Sequence, residues 1–409
     1  MAIDWETGFA PRMQQAKPSA IRELLKLLDE PGIISFAGGI PDPNLFPRTA
    51  IAAAAQRILG DPQLAATALQ YGPSEGHAPL RRYIAGLMDQ HGVACTADNI
   101  LITSGSQQAL DFIGRLFLDP GDTVLVARPT YLGALQAFSA HQPVYEPLPG
   151  PGSNRTPDSY GLGDASGTRR AKFGYVIADF QNPTGESLSL AERRDLVANA
   201  AALGLPIVED AAYDQLRYDG AALPSLLALD AARAGGIDKG GVLYCGTFSK
   251  TIAPALRIGW IAAPCTVIDR LVLIKQASDL HTSTLDQMVL HEVAATLAPD
   301  HLATIRRTYR ARRDAMLGAL DECFRGAAQW TRPEGGMFIW VTLPEQLDAE
   351  DLLRRSLAEA RVAFVPGTSF HVDGSGRNTL RLNFSLNPEA VAAEGIRRLG
   401  NVLHRALAA

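Results

Sequence analysis

From about residue 99 to residue 264, short apolar runs of strand length alternate with longer stretches of helical length. The strand-like runs cover 99–102, 123–126, 175–178, 206–209, 242–245 and 258–262, and stretches such as 190–203 are long enough to cross back over a sheet. That alternation predicts an α/β unit built on a mostly parallel sheet. Residues 149–170, rich in Gly, Pro, Ser and Asp, read as a long exposed loop. Beyond Cys265 the pattern changes. Residues 267–297 and 302–324 read as mostly helical, then come strands near 337–343 and 380–384 and a final helix. This is a smaller α+β unit, to which the N-terminal segment is expected to return. Near the N-terminus, Ile21, Leu24, Leu25 and Leu28 form one helical stripe, with Arg22, Glu23 and Lys26 elsewhere on the wheel. There are no internal repeats.

Composition adds bounds. A chain of 409 residues at 47% hydrophobic content can bury large cores and suggests two or three structural units. The net charge of −5 offers no pull toward nucleic acid or an anionic membrane. No apolar run reaches a membrane span, since Lys250 and Arg257 interrupt the longest candidate. The cysteines at 95, 245, 265 and 323 form no C-x-x-C and no zinc set, so reduced thiols in a cytoplasmic protein are expected, with no metal. The first residues, Met1 to Glu6, include two acids and no apolar h-region, which argues against a signal peptide. No G-x-G-x-x-G follows a strand, which disfavours a nicotinamide dinucleotide.

Four short stretches carry the chemistry. Lys250 ends Thr247-Phe248-Ser249-Lys250, and Arg257 follows seven residues later. A lysine that forms a Schiff base needs surroundings that favour its neutral amine. Hydroxyls and a guanidinium beside it suit a phosphate, and pyridoxal 5′-phosphate (PLP) is the cofactor that needs both. Thr103 to Gln108 turns from a strand into a helix through Gly105-Ser106, which exposes backbone N–H groups at a helix N-terminus. An ordinary capped turn has the same look. Phe180-Gln181-Asn182-Pro183-Thr184-Gly185 closes another strand at the end where ligands of open α/β sheets sit, though such a turn also serves geometry alone. Ile207-Val208-Glu209-Asp210 ends a buried strand on an acid, and a protonated pyridine nitrogen would be a fitting partner for it. A solvated strand end is the plainer alternative. Tyr213 lies three residues on and could reach the same ring oxygen as Asn182.

With these stretches in place, the chain resembles the class I/II aminotransferases of PLP fold type I. It is most similar to the branch of 2-aminoadipate and kynurenine/aminoadipate aminotransferases. The likeness runs from Ser19-Ala20-Ile21-Arg22 through Ser35-Phe36-Ala37-Gly38-Gly39, Gln70-Tyr71-Gly72-Pro73 and Pro333-Glu334-Gly335-Gly336 to Thr379-Leu380-Arg381-Leu382. It implies a mostly parallel seven-stranded sheet flanked by helices. It also implies an N-terminal segment at 1–45, a large PLP-binding domain at 46–295 and a small C-terminal domain at 296–409. Lys250 would carry the cofactor, Asp210 would pair with the pyridine nitrogen, and Asn182 and Tyr213 would hold the ring oxygen. Tyr131 would stack on the ring. Ser106, Gln107, Thr247, Ser249 and Arg257 would cup the phosphate, with Tyr71 reaching it from the other subunit of a homodimer. Arg381 would clamp the substrate α-carboxylate with help from Asn182 and Gly39. Ser19, Arg22 and Tyr71 would complete the substrate site. Thr247 stands where the branch usually has Ser, and Ala211 replaces an acid often seen beside the pyridine-pairing Asp.

The resemblance implies ping-pong transfer of an amino group between an L-amino acid and a 2-oxo acid, with Lys250 as general base. Arg22 would move to meet the distal carboxylate of glutamate or 2-aminoadipate and swing out for apolar substrates. From spacing alone Arg22 is simply solvated. Glutamate/2-oxoglutarate is expected as one couple, and 2-aminoadipate, a branched-chain or an aromatic amino acid as the other donor. A PLP lyase or decarboxylase could use the same residues. A transcription regulator would need a helix-turn-helix module ahead of residue 19, where there is no room for one.

Overall fold

The computed structural model describes residues 3, 5–14, 32–148, 171–297 and 300–408; residues 19 and 22 and the loop at 149–170 lie outside them. In chain order the strands are β1 (Ile34–Ser35), β2 (Ile100–Thr103), β3 (Thr123–Val126), β4 (Val144–Pro147), β5 (Ala171–Val176), β6 (Ile207–Asp210) and β7 (Val242–Thr247). They continue as β8 (Gly259–Ala262), β9 (Gln329–Trp330), β10 (Phe338–Thr342), β11 (Val362–Ala363), β12 (Val365–Pro366) and β13 (Thr379–Asn383). Seven of them form one sheet in the order β2-β8-β7-β6-β5-β3-β4. All pairs are parallel except those of β8, which runs against both β2 and β7. The mostly parallel α/β fold read from the alternation is therefore the one observed.

Side-chain parity sorts the apolar residues onto the two faces of this sheet. Leu101, Val124, Val126, Phe173, Tyr175, Val208, Leu243, Cys245 and Ile261 pack into one core. Ile100, Ile102, Leu125, Val176, Ile207, Val242, Tyr244, Trp260 and Ala262 pack into the other. Both faces are covered, which is why these strands read as continuous apolar runs. Strand β4 was not in the sequence-based set. It lies at the sheet edge, its Val144 and Glu146 are exposed, and it ends on a proline, so it lacks the apolar run of a central strand.

The crossover helix Leu190–Leu203 is bounded by chemistry legible in sequence. Ser189 and Glu192 form a reciprocal cap at its start, and Gly204 takes the left-handed conformation at its end. The expected helical region at 267–297 is instead two helices, Cys265–Gln276 and Thr284–Thr296. Between them Leu280 has a φ of 64°, and Lys275 donates to Asp279 at 3.0 Å and to Thr282 Oγ1 at 2.9 Å, so side chains stabilise the turn.

The remaining strands are short. β12-β13-β10-β9 make an antiparallel sheet, and β1 pairs in parallel with β11. Phe36, just after β1, donates to Ala363 O at 2.7 Å and accepts from Asn383 N at 2.9 Å, which ties residues 34–36 to the sheet that carries Arg381. No helix among the described residues is long and apolar enough to cross a membrane.

Candidate active site

The carboxyl ends of β2, β3, β5, β6 and β7 converge on one cavity of about 590 Å³. Parallel strands all point their carboxyl ends the same way, so turns distant in sequence meet there. Gly39, Ser106, Gln107, Tyr131, Asn182, Asp210, Tyr213, Thr247, Ser249, Lys250, Arg257 and Arg381 all line it.

At one end is a cup of hydroxyls, backbone N–H groups and a guanidinium. Ser106 opens the helix Ser106–Phe117 directly after Gly105, whose φ is 78°. Thr247 Oγ1 lies 2.9 Å from Ser249 Oγ and accepts from Ser249 N at 3.1 Å. Arg257 reaches across to Ser104 O at 3.2 Å. Gln107 commits its side-chain amide to Gly133 O at 2.7 Å, beneath the Tyr131 ring.

Asp210 and Lys250 stand further in, the first buried and the second half-buried. Tyr175 donates its O–H to Asp210 Oδ2 at 2.8 Å, while Asp210 Oδ1 has no partner although it is buried. Burial pushes Asp210 up to about 6, against the pull of the Tyr175 hydroxyl, the Lys250 charge and the Ala212 amide. Its neighbour Glu209 points to the opposite face of β6 and accepts from Leu226 N and Leu227 N, at the start of another helix. Lys250 Nζ donates to Gly39 O at 3.2 Å and sits 6.0 Å from the centre of the Tyr213 ring. Burial brings its amine down to about 8, and the charge of Arg257 acts in the same direction.

Arg381, on β13, closes the far wall. Its Nη1 donates to Asn182 Oδ1 at 2.8 Å and its Nη2 to Ala37 O at 2.9 Å, while Nε is buried without a partner. The guanidinium lies 4.3 Å from the Phe338 ring centre and 5.0 Å from that of Phe370. Asn182 completes the wall by donating to Tyr213 Oη at 3.5 Å.

Tyr71 is not in the cavity wall; it is 78% exposed, its ring edge-on to His281 at 5.8 Å. Ser19 and Arg22 fall outside the described residues. Tyr175, Phe338 and Phe370 were not read as site residues from the sequence. A larger hollow of about 750 Å³ opens beside Arg217, Pro333 and Glu334, where Arg217 pairs with Asp179 and Glu334, and Arg332 with Asp321.

The family model for aminotransferase class I and II matches residues 32–399. The chain belongs to that family. It is 44% identical to the 2-aminoadipate transaminase of Thermus thermophilus over 406 residues, 99% of each chain. It is 41% identical to aromatic-amino-acid aminotransferase 1 of Thermococcus litoralis, over 98% of this chain and 95% of that one. Among solved structures, the α-aminoadipate aminotransferase of Thermus thermophilus, complexed with N-(5′-phosphopyridoxyl)-L-leucine, superposes with a TM-score of 0.89 at 43% identity. That match covers 99% of this chain and 100% of the other. The enzyme is thus a PLP-dependent aminotransferase, and the lyase or decarboxylase alternative is not favoured.

The unmet groups of this aminotransferase fit the cofactor. Asp210 Oδ1 is a buried acceptor without a partner, and a protonated ring nitrogen would supply one. The cup is kept open by Gly105, where a Cβ would collide with the Arg257 guanidinium. Gly105→Ala should therefore displace Arg257 and weaken PLP binding by about tenfold to hundredfold, the weight of one or two hydrogen bonds to a charged group. Titration of the apoenzyme with PLP measures this. Unchanged affinity would remove Arg257 from the phosphate cup.

Proposed function

We propose that this aminotransferase moves an amino group by a ping-pong mechanism from 2-aminoadipate, glutamate, a branched-chain or an aromatic amino acid to a 2-oxo acid, with 2-oxoglutarate as the general acceptor. The observation that carries the reading is the pairing of Lys250 and Arg381 across one buried cavity whose inner acid, Asp210, has a free oxygen. The names of the relatives, which act on 2-aminoadipate and aromatic amino acids, support the substrate range.

Bound PLP supplies an electron sink for the charge that develops at the substrate Cα. Lys250 would hold the cofactor, give way to the amino acid and, as a freed amine, act as the base that takes the proton from the substrate Cα. An amine brought down to about 8 exchanges a proton readily near neutral pH. Asp210 would keep the ring nitrogen protonated. Asn182 and Tyr213 would hold the ring oxygen, and Tyr131 would stack on the ring. Ser106, Gln107, Thr247, Ser249 and Arg257 would hold the phosphate. Arg381 would take the α-carboxylate, with help from Gly39 and Asn182. Tyr71, exposed in the single chain, is assigned to the neighbouring site of a homodimer. Ser19 and Arg22 are assigned to the substrate side chain. The division into 1–45, 46–295 and 296–409 and a cytoplasmic location complete the proposal.

The test is a half-reaction. Glutamate, 2-aminoadipate, leucine and phenylalanine are added separately to the purified holoenzyme while the cofactor absorbance is followed. Conversion to the pyridoxamine form with release of the matching oxo acid is the expected result. A cofactor that reacts with none of the four, or yields an amine, counts against the proposed donors. Arg22→Ala should raise KM for glutamate and 2-aminoadipate by about tenfold, the weight of one lost charge pair, and leave leucine unchanged. Equal losses would remove Arg22 from substrate selection.

A further inference from the structure

We propose that Tyr175 is a positioning residue for the cofactor: its phenol holds Oδ2 of Asp210 so that Oδ1 alone faces the ring nitrogen. This rests on the assignment of Asp210 as the ring-nitrogen partner.

The placement follows from strand register. Tyr175 on β5 stands opposite Val208 on β6, and both belong to the same face of the sheet. Asp210 lies two residues beyond Val208 and so returns to that face, on the diagonal from Tyr175, a separation that a long aromatic side chain spans. The phenol completes the span with a 2.8 Å hydrogen bond. Its ring is fixed in turn, edge-on to Phe138 at 5.8 Å, and Phe138 packs on Phe173 at 5.2 Å. Tyr175 is 0% exposed, so no water competes for the bond.

A carboxylate has two equivalent oxygens and rotates freely about its last bond unless something distinguishes them. Here one oxygen is taken by an O–H whose direction is fixed by packing, and the other has no hydrogen-bond partner, the Ala212 amide adding only the weakest of the pulls on the carboxyl. The bond has only one polarity. Burial first, and then the charge of Asp210, raises the phenol well above its ordinary range, so Tyr175 stays neutral and always donates. Lys250 also favours the ionised acid, but only while its own amine is protonated. The Tyr175 hydroxyl supports it in either state. The other titratable groups facing the pair, Tyr131, Tyr213 and the buried thiol of Cys245, also stay neutral, since burial raises all three.

The test compares Tyr175→Phe, Asp210→Asn and the double variant with the wild-type holoenzyme. Tyr175→Phe keeps the ring against Phe138 and removes one hydroxyl. It should raise the PLP dissociation constant, read by apoenzyme titration, by about tenfold, the weight of one hydrogen bond to a charged group. It should also shift the midpoint of the pH-dependent cofactor spectrum and lower kcat for glutamate by about tenfold while KM changes less than about twofold. Added to Asp210→Asn, it should have no further effect on any of the three. If Tyr175→Phe does not fold, Tyr175→Met carries the same expectations. Wild-type affinity and midpoint in a folded Tyr175 variant, with Asp210→Asn impaired, would overturn the role of Tyr175 alone. A wild-type Asp210→Asn would instead overturn the assignment of Asp210, and this proposal with it.

Discussion

Lys250→Ala should leave a folded protein that no longer holds PLP covalently and whose transamination of glutamate falls by at least about 10⁴-fold, the upper range for loss of a general base. Two roles should disappear together, since the same amine is proposed both to attach the cofactor and to move the Cα proton. Borohydride treatment of the wild-type holoenzyme, followed by peptide mapping, should place the cofactor mass on the peptide containing Lys250. The variant should show none. Retained steady-state turnover would remove the catalytic assignment. The same amine should show itself in the pH dependence of cofactor capture. Burial brings Lys250 down to about 8. Only the neutral amine attacks a carbonyl, and it predominates above that value. Covalent capture of PLP by the apoenzyme should therefore rise about tenfold per pH unit below about 8 and level off above it. A rise continuing to the ordinary lysine range would mean that desolvation does not bring the amine down.

How far the sequence reveals this site depends on how each residue reaches it. Asn182, Asp210 and the Thr247 to Lys250 stretch are legible because each follows a long apolar strand, and parallel strands collect their carboxyl ends at one place. The central sheet is legible for the same reason, since strands buried on both faces leave unbroken apolar runs. Strands β1, β9, β11 and β12 are two residues each and carry no periodicity to read. The break at Leu280 depends on Lys275 finding Asp279 and Thr282, contacts that apolar spacing does not encode. Tyr175 reads in sequence as one more apolar strand residue. Strand parity and register together place its hydroxyl beside Asp210, but the register is a property of the folded sheet. Phe338 and Phe370 were missed for a similar reason. They belong to the site through Arg381, to which they come from separate segments.

Arg381→Lys should lower kcat/KM by about 100- to 1,000-fold for every amino-acid donor, with most of the loss in KM. The guanidinium has five N–H donors, and three bonds, to Asn182, Ala37 and Gly38, account for only part of them. Its Nε–H is buried with no acceptor, a costly state that a bound carboxylate relieves. Burial also lowers the guanidinium to about 10, so an incoming negative charge strengthens the charged form it meets. Lysine keeps the charge but loses the planar fork, and an ammonium does not stack between Phe338 and Phe370 as a flat cation does. The loss should fall on KM because the α-carboxylate is equally charged before and during proton transfer, so the clamp binds both states alike. It should also be the same for leucine and glutamate, since both carry that carboxylate. A loss confined to glutamate and 2-aminoadipate would instead place Arg381 against the distal carboxylate and leave the α-carboxylate without its clamp.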